Sequence, residues 1–119
     1  MPAYNKTISI LEKIARYCNE INQLMERFGR SFEAYQSDFA YRRACDMCIY
    51  QITELASRLP EEFRDGNKEI PWKDIRGMRN IVAHEYENVN LMRVWKTIET
   101  DIPTLKAFCE EILRSLAQD

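Results

Sequence analysis

The chain contains one histidine, three glycines and four prolines among its 119 residues. It has no apolar run close to the ~20 residues that a membrane-spanning helix needs, and its first residues lack the apolar stretch of a signal peptide. We therefore expect no membrane association and a cytoplasmic location. An excess of basic residues is also absent, since the net charge is −2. Any binding to RNA would therefore need a local basic cluster.

The length of the chain predicts one small domain, covering residues 1–119. Its four cysteines are Cys18, Cys45, Cys48 and Cys109. In a cytosolic protein we expect reduced thiols packed in the core. Cys45 and Cys48 form a CxxC inside a helical pattern, without a second pair or a nearby histidine. A zinc or redox site is a minor alternative, and we expect no metal and no cofactor.

Apolar residues recur at spacings of three and four along nearly the whole chain, which is typical of amphipathic helices. The predicted helices cover residues 8–28, 40–59, 71–84 and 91–116, with a short connector at 31–37 and a polar loop at 61–69. Gly29 and Pro60 end the first two helices, and Pro103 kinks or restarts the last one. No strand alternation or internal repeat is visible. The sequence predicts an all-α fold, a four-to-five-helix antiparallel bundle with short loops.

The residues most suited to chemistry lie in the run from Arg79 to Tyr86. Arginine is a fork-shaped ligand for phosphate oxygens, and His84, the only imidazole, can move protons near neutral pH. On a straight helix these two side chains would point about 140° apart. They could share one site if the helix ends near His84, or if two copies meet across a two-fold axis. Cleaving RNA through its 2′-hydroxyl uses one base and one acid, and a symmetric dimer would supply two imidazoles.

Spacing alone leaves an ordinary alternative for the same residues. Arg79 could pair with a carboxylate, and His84 could be a cation at a helix C-terminus. Tyr86 could be a core aromatic residue.

The wider run closely resembles the HEPN family, specifically its HepT-like branch. Residues 70–86 read IPWKDIRGMRNIVAHEY, which matches the IPW-x2-I-x-G-M-R-N-x3-H-x-Y signature of that branch. The segments VWKTI at 94–98 and DIPTL at 101–105 are similar to its W-x-x-I and D-I/L-P-x-L segments. The resemblance covers essentially the whole chain.

This resemblance implies an all-helical homodimer in which the R-x4-6-H residues line a cleft between subunits. It further implies a metal-independent endoribonuclease, the toxin of a type VII toxin–antitoxin pair. The partner would be a small MntA-like nucleotidyltransferase that attaches AMP to the motif tyrosine. On this chain, Arg79 and His84 would be catalytic, Asn80 would support them, and Tyr86 would be the modified residue.

Other basic and aromatic residues have two interpretations each. Arg42, Arg43, Arg76 and Arg93 are candidates for an RNA-contacting rim, with a solvated helix face as an equal alternative. Both tryptophans could stack on bases, but tryptophans of amphipathic helices are more often core residues.

One segment departs from the family pattern. Many relatives read I-G-E-A in the second helix, whereas this chain reads Ile-Thr-Glu-Leu-Ala at residues 52–56. The small glycine is absent, and we expect Glu54 to be a solvated or cleft-edge carboxylate.

A second class of function remains open. The chain could be a non-catalytic helical interaction module that binds a nucleotidyltransferase or a nucleotide. Arg79 and His84 would then hold a phosphate without cutting RNA.

Overall fold

The computed structural model describes residues 2–83 and 91–117, with side chains from residue 6 onward. The α-helices are α1 (Pro2–Phe28), α2 (Phe32–Ser37), α3 (Phe39–Arg58), α4 (Glu61–Asp65), α5 (Trp72–Ala83), α6 (Leu91–Lys96) and α7 (Ile102–Ala117). A π-helical segment, Thr97–Asp101, joins α6 to α7 without a break. No strand occurs within these residues. The predicted all-α class is therefore confirmed.

Two contacts show that α1 and α3 run in opposite directions. The Tyr41 hydroxyl, near the start of α3, donates to the carbonyl of Gly29, just after α1, at 2.8 Å. Further along both helices, the Cys48 sulfur lies 3.8 Å from Oε1 of Glu20. On the other sides of this pair, α5 packs against α3 and α7 packs against α1. The long helices thus form the predicted bundle.

Short-range signals in the sequence fix the turn between α1 and α3. Gly29 has φ of 117°, a backbone conformation that L side chains rarely adopt, and it ends α1 as predicted. Ser31 caps α2 by accepting a hydrogen bond from the Ala34 amide at 3.1 Å. Asp38 caps α3 in the same way through the Ala40 amide at 2.9 Å. The predicted connector at residues 31–37 is therefore a short, capped helix.

The predicted polar loop at residues 61–69 is partly wrong, because it contains helix α4. The Nη1 of Arg64 donates to the carbonyls of Ala56 and Leu59, at 3.2 and 2.5 Å, and so caps the C-terminus of α3. Glu61 and Glu62 occupy the first turn of α4, where acidic side chains are favourable. A helix of five residues is too short to show an apolar period, which is why the pattern did not reveal it.

The π-helical segment ends two residues before Pro103. The amide of Ile102 bonds to the carbonyl of Thr97, five residues back. Pro103 has no amide hydrogen and its ring crowds the preceding turn, so a regular α-helix is disfavoured there. The Thr104 hydroxyl donates to the Thr100 carbonyl at 3.2 Å and satisfies part of this disturbed ladder. Pro103 thus falls in the first turn of α7, as its helix-restarting role requires.

Aromatic clusters hold the two ends of the bundle. One cluster consists of Phe28, Tyr35, Tyr41 and Trp95, with ring centroids 5.1 to 6.4 Å apart. The other consists of Phe63, Trp72 and Phe108, with centroids 5.8 to 6.4 Å apart. Both tryptophans are buried, which confirms them as core residues. None of the described helices is long and apolar enough to cross a membrane.

The predicted apolar stripe of α3 is wrong at two positions. Ala40 is exposed, and Met47 is 58% exposed. Helices α1 and α5 cover two sides of α3, and these residues lie on a side that the described part of the chain leaves open.

Candidate functional site

Helix α5 carries the described half of the sequence motif. Its inner face consists of three buried residues, Trp72, Ile75 and Met78. These anchors have the spacing of one helix face, so the rotation of α5 about its axis is fixed. Arg79 and Asn80 follow directly after Met78 and are exposed. The chain therefore presents both polar motif residues at the surface of the bundle.

Arg79 is held by two residues of α3. Its Nε lies 3.1 Å from Oε2 of Glu54, and its Cζ lies 5.7 Å from the centre of the Tyr50 ring. The Arg79 side chain is 51% exposed and that of Glu54 is 34% exposed. A hydrogen bond to Tyr50, followed by the charge of Glu54, raises the pKa of Arg79 above its usual value. The guanidinium is therefore permanently charged and oriented from one side.

The geometry of this contact leaves phosphate-binding capacity. A guanidinium has five N–H groups in a planar fork. Glu54 is bound through Nε, Tyr50 forms a further hydrogen bond, and no second carboxylate of the described residues pairs with Arg79, so N–H groups of the terminal Nη atoms remain for another ligand. These are the groups that bind two phosphate oxygens side by side.

Glu54 is therefore a partly exposed carboxylate with a defined partner. Thr53 replaces the glycine of the family pattern and is buried, with its hydroxyl donating to the Tyr50 carbonyl at 2.7 Å. Sequence reasoning missed the pairing of Glu54 and Tyr50 with Arg79. The available signal was the four-residue spacing of Tyr50 and Glu54, which places them on one face of α3.

His84 and Tyr86 lie outside the described residues. Helix α5 is described as far as Ala83, directly before the histidine. Their predicted position beside Arg79 remains a prediction.

The candidate rim arginines are not equivalent. Arg76 is exposed on α5, one turn before Arg79. Arg43 is exposed on the same face of α3 as Tyr50, and its guanidinium lies 5.8 Å from the ring centre of Phe39. The guanidinium of Arg42 instead donates to the Gln36 carbonyl, in the last turn of α2. Arg43 and Arg76 are thus the exposed members of this set, whereas Arg42 is bound to a backbone carbonyl.

One side of α3 overlaps this site and carries two exposed apolar side chains, and we call it the α3 face. It consists of Phe39, Arg43, Met47, Tyr50 and Glu54, which lie within about 80° of one another around the helix axis. Phe39 is 65% exposed. On the neighbouring α5, Gly77 is exposed, and a Cβ added there would meet no atom within 4 Å. Large exposed apolar side chains in one patch are typical of interaction surfaces.

The CxxC residues are free thiols in the interior of the bundle. Cys45 and Cys48 are both buried, and burial raises the pKa of each, to about 12 for Cys48. Thiols are weak ligands and nucleophiles when they stay protonated. Within residues 6–83 and 91–117, no group of three or more His, Cys, Asp and Glu side chains could hold a metal ion.

The structure is a helical bundle in which α5 exposes Arg79 and Asn80 at the surface. This arrangement agrees with the resemblance to the HEPN family. The family model described as "Ribonuclease HepT-like" matches residues 10–112. The chain therefore belongs to the HepT-like ribonuclease family, and the family resemblance predicted from the sequence is confirmed. The predicted enzyme class, a ribonuclease, is confirmed at the level of that family.

Curated relatives agree with this assignment. The chain is 38% identical over 104 residues to "Putative RNase TTE0752" of Caldanaerobacter subterraneus subsp. tengcongensis, covering 87% of this chain and 91% of the relative. It is 34% identical over 104 residues to "Probable ribonuclease HepT" of Thermococcus cleftensis, covering 86% and 91%. It is 27% identical over 108 residues to "Putative RNase MJ1216" of Methanocaldococcus jannaschii, covering 91% and 88%. No solved structure matches the chain significantly.

Proposed function

We propose that this protein is a metal-independent endoribonuclease and the toxin of a type VII toxin–antitoxin pair. The geometry of Arg79 supports this most directly. It is a permanently charged fork, held on one side by Glu54 at 3.1 Å and half exposed on the other. A phosphodiester could accept hydrogen bonds from its terminal nitrogens, which would offset the negative charge that builds on the phosphate during cleavage.

His84 supplies the proton transfers in this mechanism. The imidazole removes the proton of the RNA 2′-hydroxyl, and the 2′-oxygen attacks the adjacent phosphorus. The bond from phosphorus to the 5′-oxygen breaks, and that oxygen accepts a proton from a general acid, which is the second copy of His84 in the homodimer described below. The products are a 2′,3′-cyclic phosphate and a 5′-hydroxyl. Asn80, exposed beside Arg79, would orient the phosphate or the arginine.

The active unit in this proposal is a homodimer. The chain has one histidine, while the reaction needs a base and an acid. A two-fold axis that brings two Arg79/His84 sets into one cleft supplies both groups. The α3 face supports this assembly, because Phe39 and Met47 are 65% and 58% exposed on the same side of α3 as Tyr50 and Glu54. Burying such side chains stabilises association by about 25 cal/mol per Å² of apolar surface, before the cost of association.

Regulation would act on Tyr86, two residues after His84. The proposed partner is an MntA-like nucleotidyltransferase antitoxin that attaches AMP to the phenol. The added phosphate is negatively charged and could pair with Arg79 in place of RNA. Modification would therefore block substrate binding without unfolding the bundle.

The decisive experiment incubates the purified protein with RNA in excess chelator and identifies the product ends. We expect cleavage that leaves a 2′,3′-cyclic phosphate or its opened product. His84→Ala should cut at least about 10² to 10⁴ times more slowly, the usual contribution of positioned proton transfer. Circular dichroism of the variant checks that the helices are intact.

A matched control is Lys13→Gln, which removes an exposed charge from α1, on an element separate from α5. It should cut at the parent rate. If His84→Ala and Arg79→Ala both cut like the parent, the catalytic assignment is wrong. A protein that cuts no RNA, yet binds the nucleotidyltransferase, would instead be the interaction module considered above.

A further inference from the structure

An open groove lies at the junction of α4 and α5, close to Arg79. Its volume is about 590 Å³, within the ~300–1,000 Å³ range typical of ligand sites. Its walls consist of Glu61, Arg64, Asp65, Lys68, Ile70, Pro71, Trp72, Lys73 and Arg76. The groove thus begins at Arg76, one helical turn before Arg79.

The charge of this groove is opposite to that of the whole chain. Four cations and two carboxylates line it, whereas the whole chain carries −2. Lys68 and Lys73 are exposed and form no ion pair with a carboxylate of the described residues. The Nη1 of Arg64 donates to two carbonyls at the end of α3, so this side chain adds positive charge to the groove but is held in place. The side chains that can bind an anion in the groove are therefore mainly Lys68, Lys73 and Arg76.

The floor of the groove is rigid and apolar. Ile70 and Trp72 are buried, and the indole N–H donates to the Asn67 carbonyl at 3.0 Å. The Trp72 ring also packs against Phe63 and Phe108. The basic side chains thus border a pre-formed concave surface.

The cations continue from the groove to the proposed catalytic arginine. Lys73, Arg76 and Arg79 follow one another at three-residue steps on α5. Each step rises about 4.5 Å and turns about 60° around the axis. Over the two steps the helix rises about 9 Å and turns about 120°, so the three charges wind obliquely around α5, with Arg76 between the groove and the Glu54 contact.

We propose that this groove binds a phosphodiester of the RNA strand next to the scissile one, with Lys68 and Lys73 as its ligands. This inference rests on the proposed ribonuclease function and adds the direction in which the strand leaves Arg79. Lysines that neutralise backbone phosphates release counterions and contribute affinity without reading sequence. The site would therefore favour longer RNA of any sequence over a single phosphodiester.

The test compares a dinucleoside monophosphate with a ten-nucleotide RNA as substrates of the parent and of a Lys68→Gln/Lys73→Gln variant. The dinucleotide has only the scissile phosphate, so its kcat/KM should be equal within about twofold. For the longer RNA, KM should rise about five- to tenfold with little change in kcat, since only exposed phosphate contacts are lost. The dependence of log affinity on log salt should become shallower by about 0.7 per lost contact.

The matched control is Lys6→Gln/Lys13→Gln. It also removes two exposed lysines, seven residues apart on α1. This control should behave like the parent on both substrates. Equal activity of the groove variant and the parent on the longer RNA would overturn the proposal, as would an equal loss on both substrates.

A binding measurement separates this proposal from the proposed function. A ten-nucleotide analogue with a 2′-methoxy group in place of each 2′-hydroxyl cannot be cut, and fluorescence anisotropy gives its affinity. Weaker binding by the groove variant supports the groove even if the parent cuts no RNA. Unchanged binding, together with lost capture of the nucleotidyltransferase, would assign the groove to a protein partner instead.

Discussion

The Nε of Arg79 lies 3.1 Å from Oε2 of Glu54, and this contact joins α5 to α3 at the surface of the bundle. The carboxylate is bound through Nε, and a hydrogen bond to Tyr50 adds a second contact from α3, so part of the five-donor guanidinium remains for another ligand. In the proposed mechanism, Glu54 thus orients the cation that would bind the scissile phosphate.

Glu54→Gln tests whether the negative charge of Glu54 is needed to orient Arg79. The amide keeps the shape but loses the negative charge, so we expect kcat for RNA cleavage to fall about tenfold. KM should stay the same or decrease, because a competing anion is removed. Arg79→Ala should cost more, about 10² to 10³ in kcat/KM, through lost charge stabilisation. Steady-state kinetics on one RNA measures both, and a Glu54→Gln variant with the parent kcat would argue against the orienting role.

Tyr86→Phe should leave a toxin that modification cannot silence. The substitution removes the acceptor oxygen and keeps the ring, so RNA cleavage should persist. Mass spectrometry after co-expression with the nucleotidyltransferase should find AMP on the parent and none on the variant. If the variant is still neutralised as well as the parent, inhibition works by complex formation.

Gly77→Ala tests whether a second copy approaches α5 closely. Because a Cβ at Gly77 meets no atom within 4 Å, the isolated chain should gain about 0.5–1 kcal/mol from better helix propensity. In a dimer that packs closely against Gly77, the same methyl group should weaken association. Sedimentation should then show more monomer while the melting temperature of dilute protein rises. An unchanged dimer would place the contact away from Gly77.

Gly29→Ala should have the opposite effect on stability. Its φ of 117° is unfavourable for alanine, and the added Cβ would lie 3.1 Å from the Ala34 Cβ. We expect a loss of about 1–2 kcal/mol in the free energy of unfolding, since left-handed conformations are costly for L residues. Urea denaturation measures it, and Gly77→Ala in the same assay is the matched control.

The buried thiols should be unreactive in the native state. Burial raises the pKa of Cys48 and Cys109 to about 12, from 9.0 for an ordinary thiol. The unfolded chain would ionise near pH 9 and the folded chain near pH 12, so stability is retained below pH 9 and falls as the pH rises towards 12. A thiol reagent should modify these residues at pH 8 only after denaturant is added. Rapid labelling of the native protein would show that the bundle opens locally.

Most of the bundle could be predicted from the sequence, because apolar spacing and helix-ending residues depend only on neighbouring positions. The apolar stripe around Ile14 and Ile21 and the terminating Gly29 each depend on neighbours within a few residues. The partner of Arg79 does not, since Glu54 lies 25 positions earlier and meets it only because α3 packs on α5. Spacing could suggest that the arginine pairs with a carboxylate, but it could not choose the carboxylate. The exposure of Met47 is a further non-local property, because it depends on which sides of α3 other helices cover.

The π turn at Thr97–Asp101 sets the rotational phase between the two halves of one long helical rod. A π turn holds one residue more than an α turn, and one residue corresponds to about 100° of rotation. With that residue in place, Trp95 packs against Tyr35 in the aromatic cluster, while Leu105 and Cys109 are buried further along. Removing it would turn one half towards solvent, so single-residue deletions should be tolerated far less here than single substitutions.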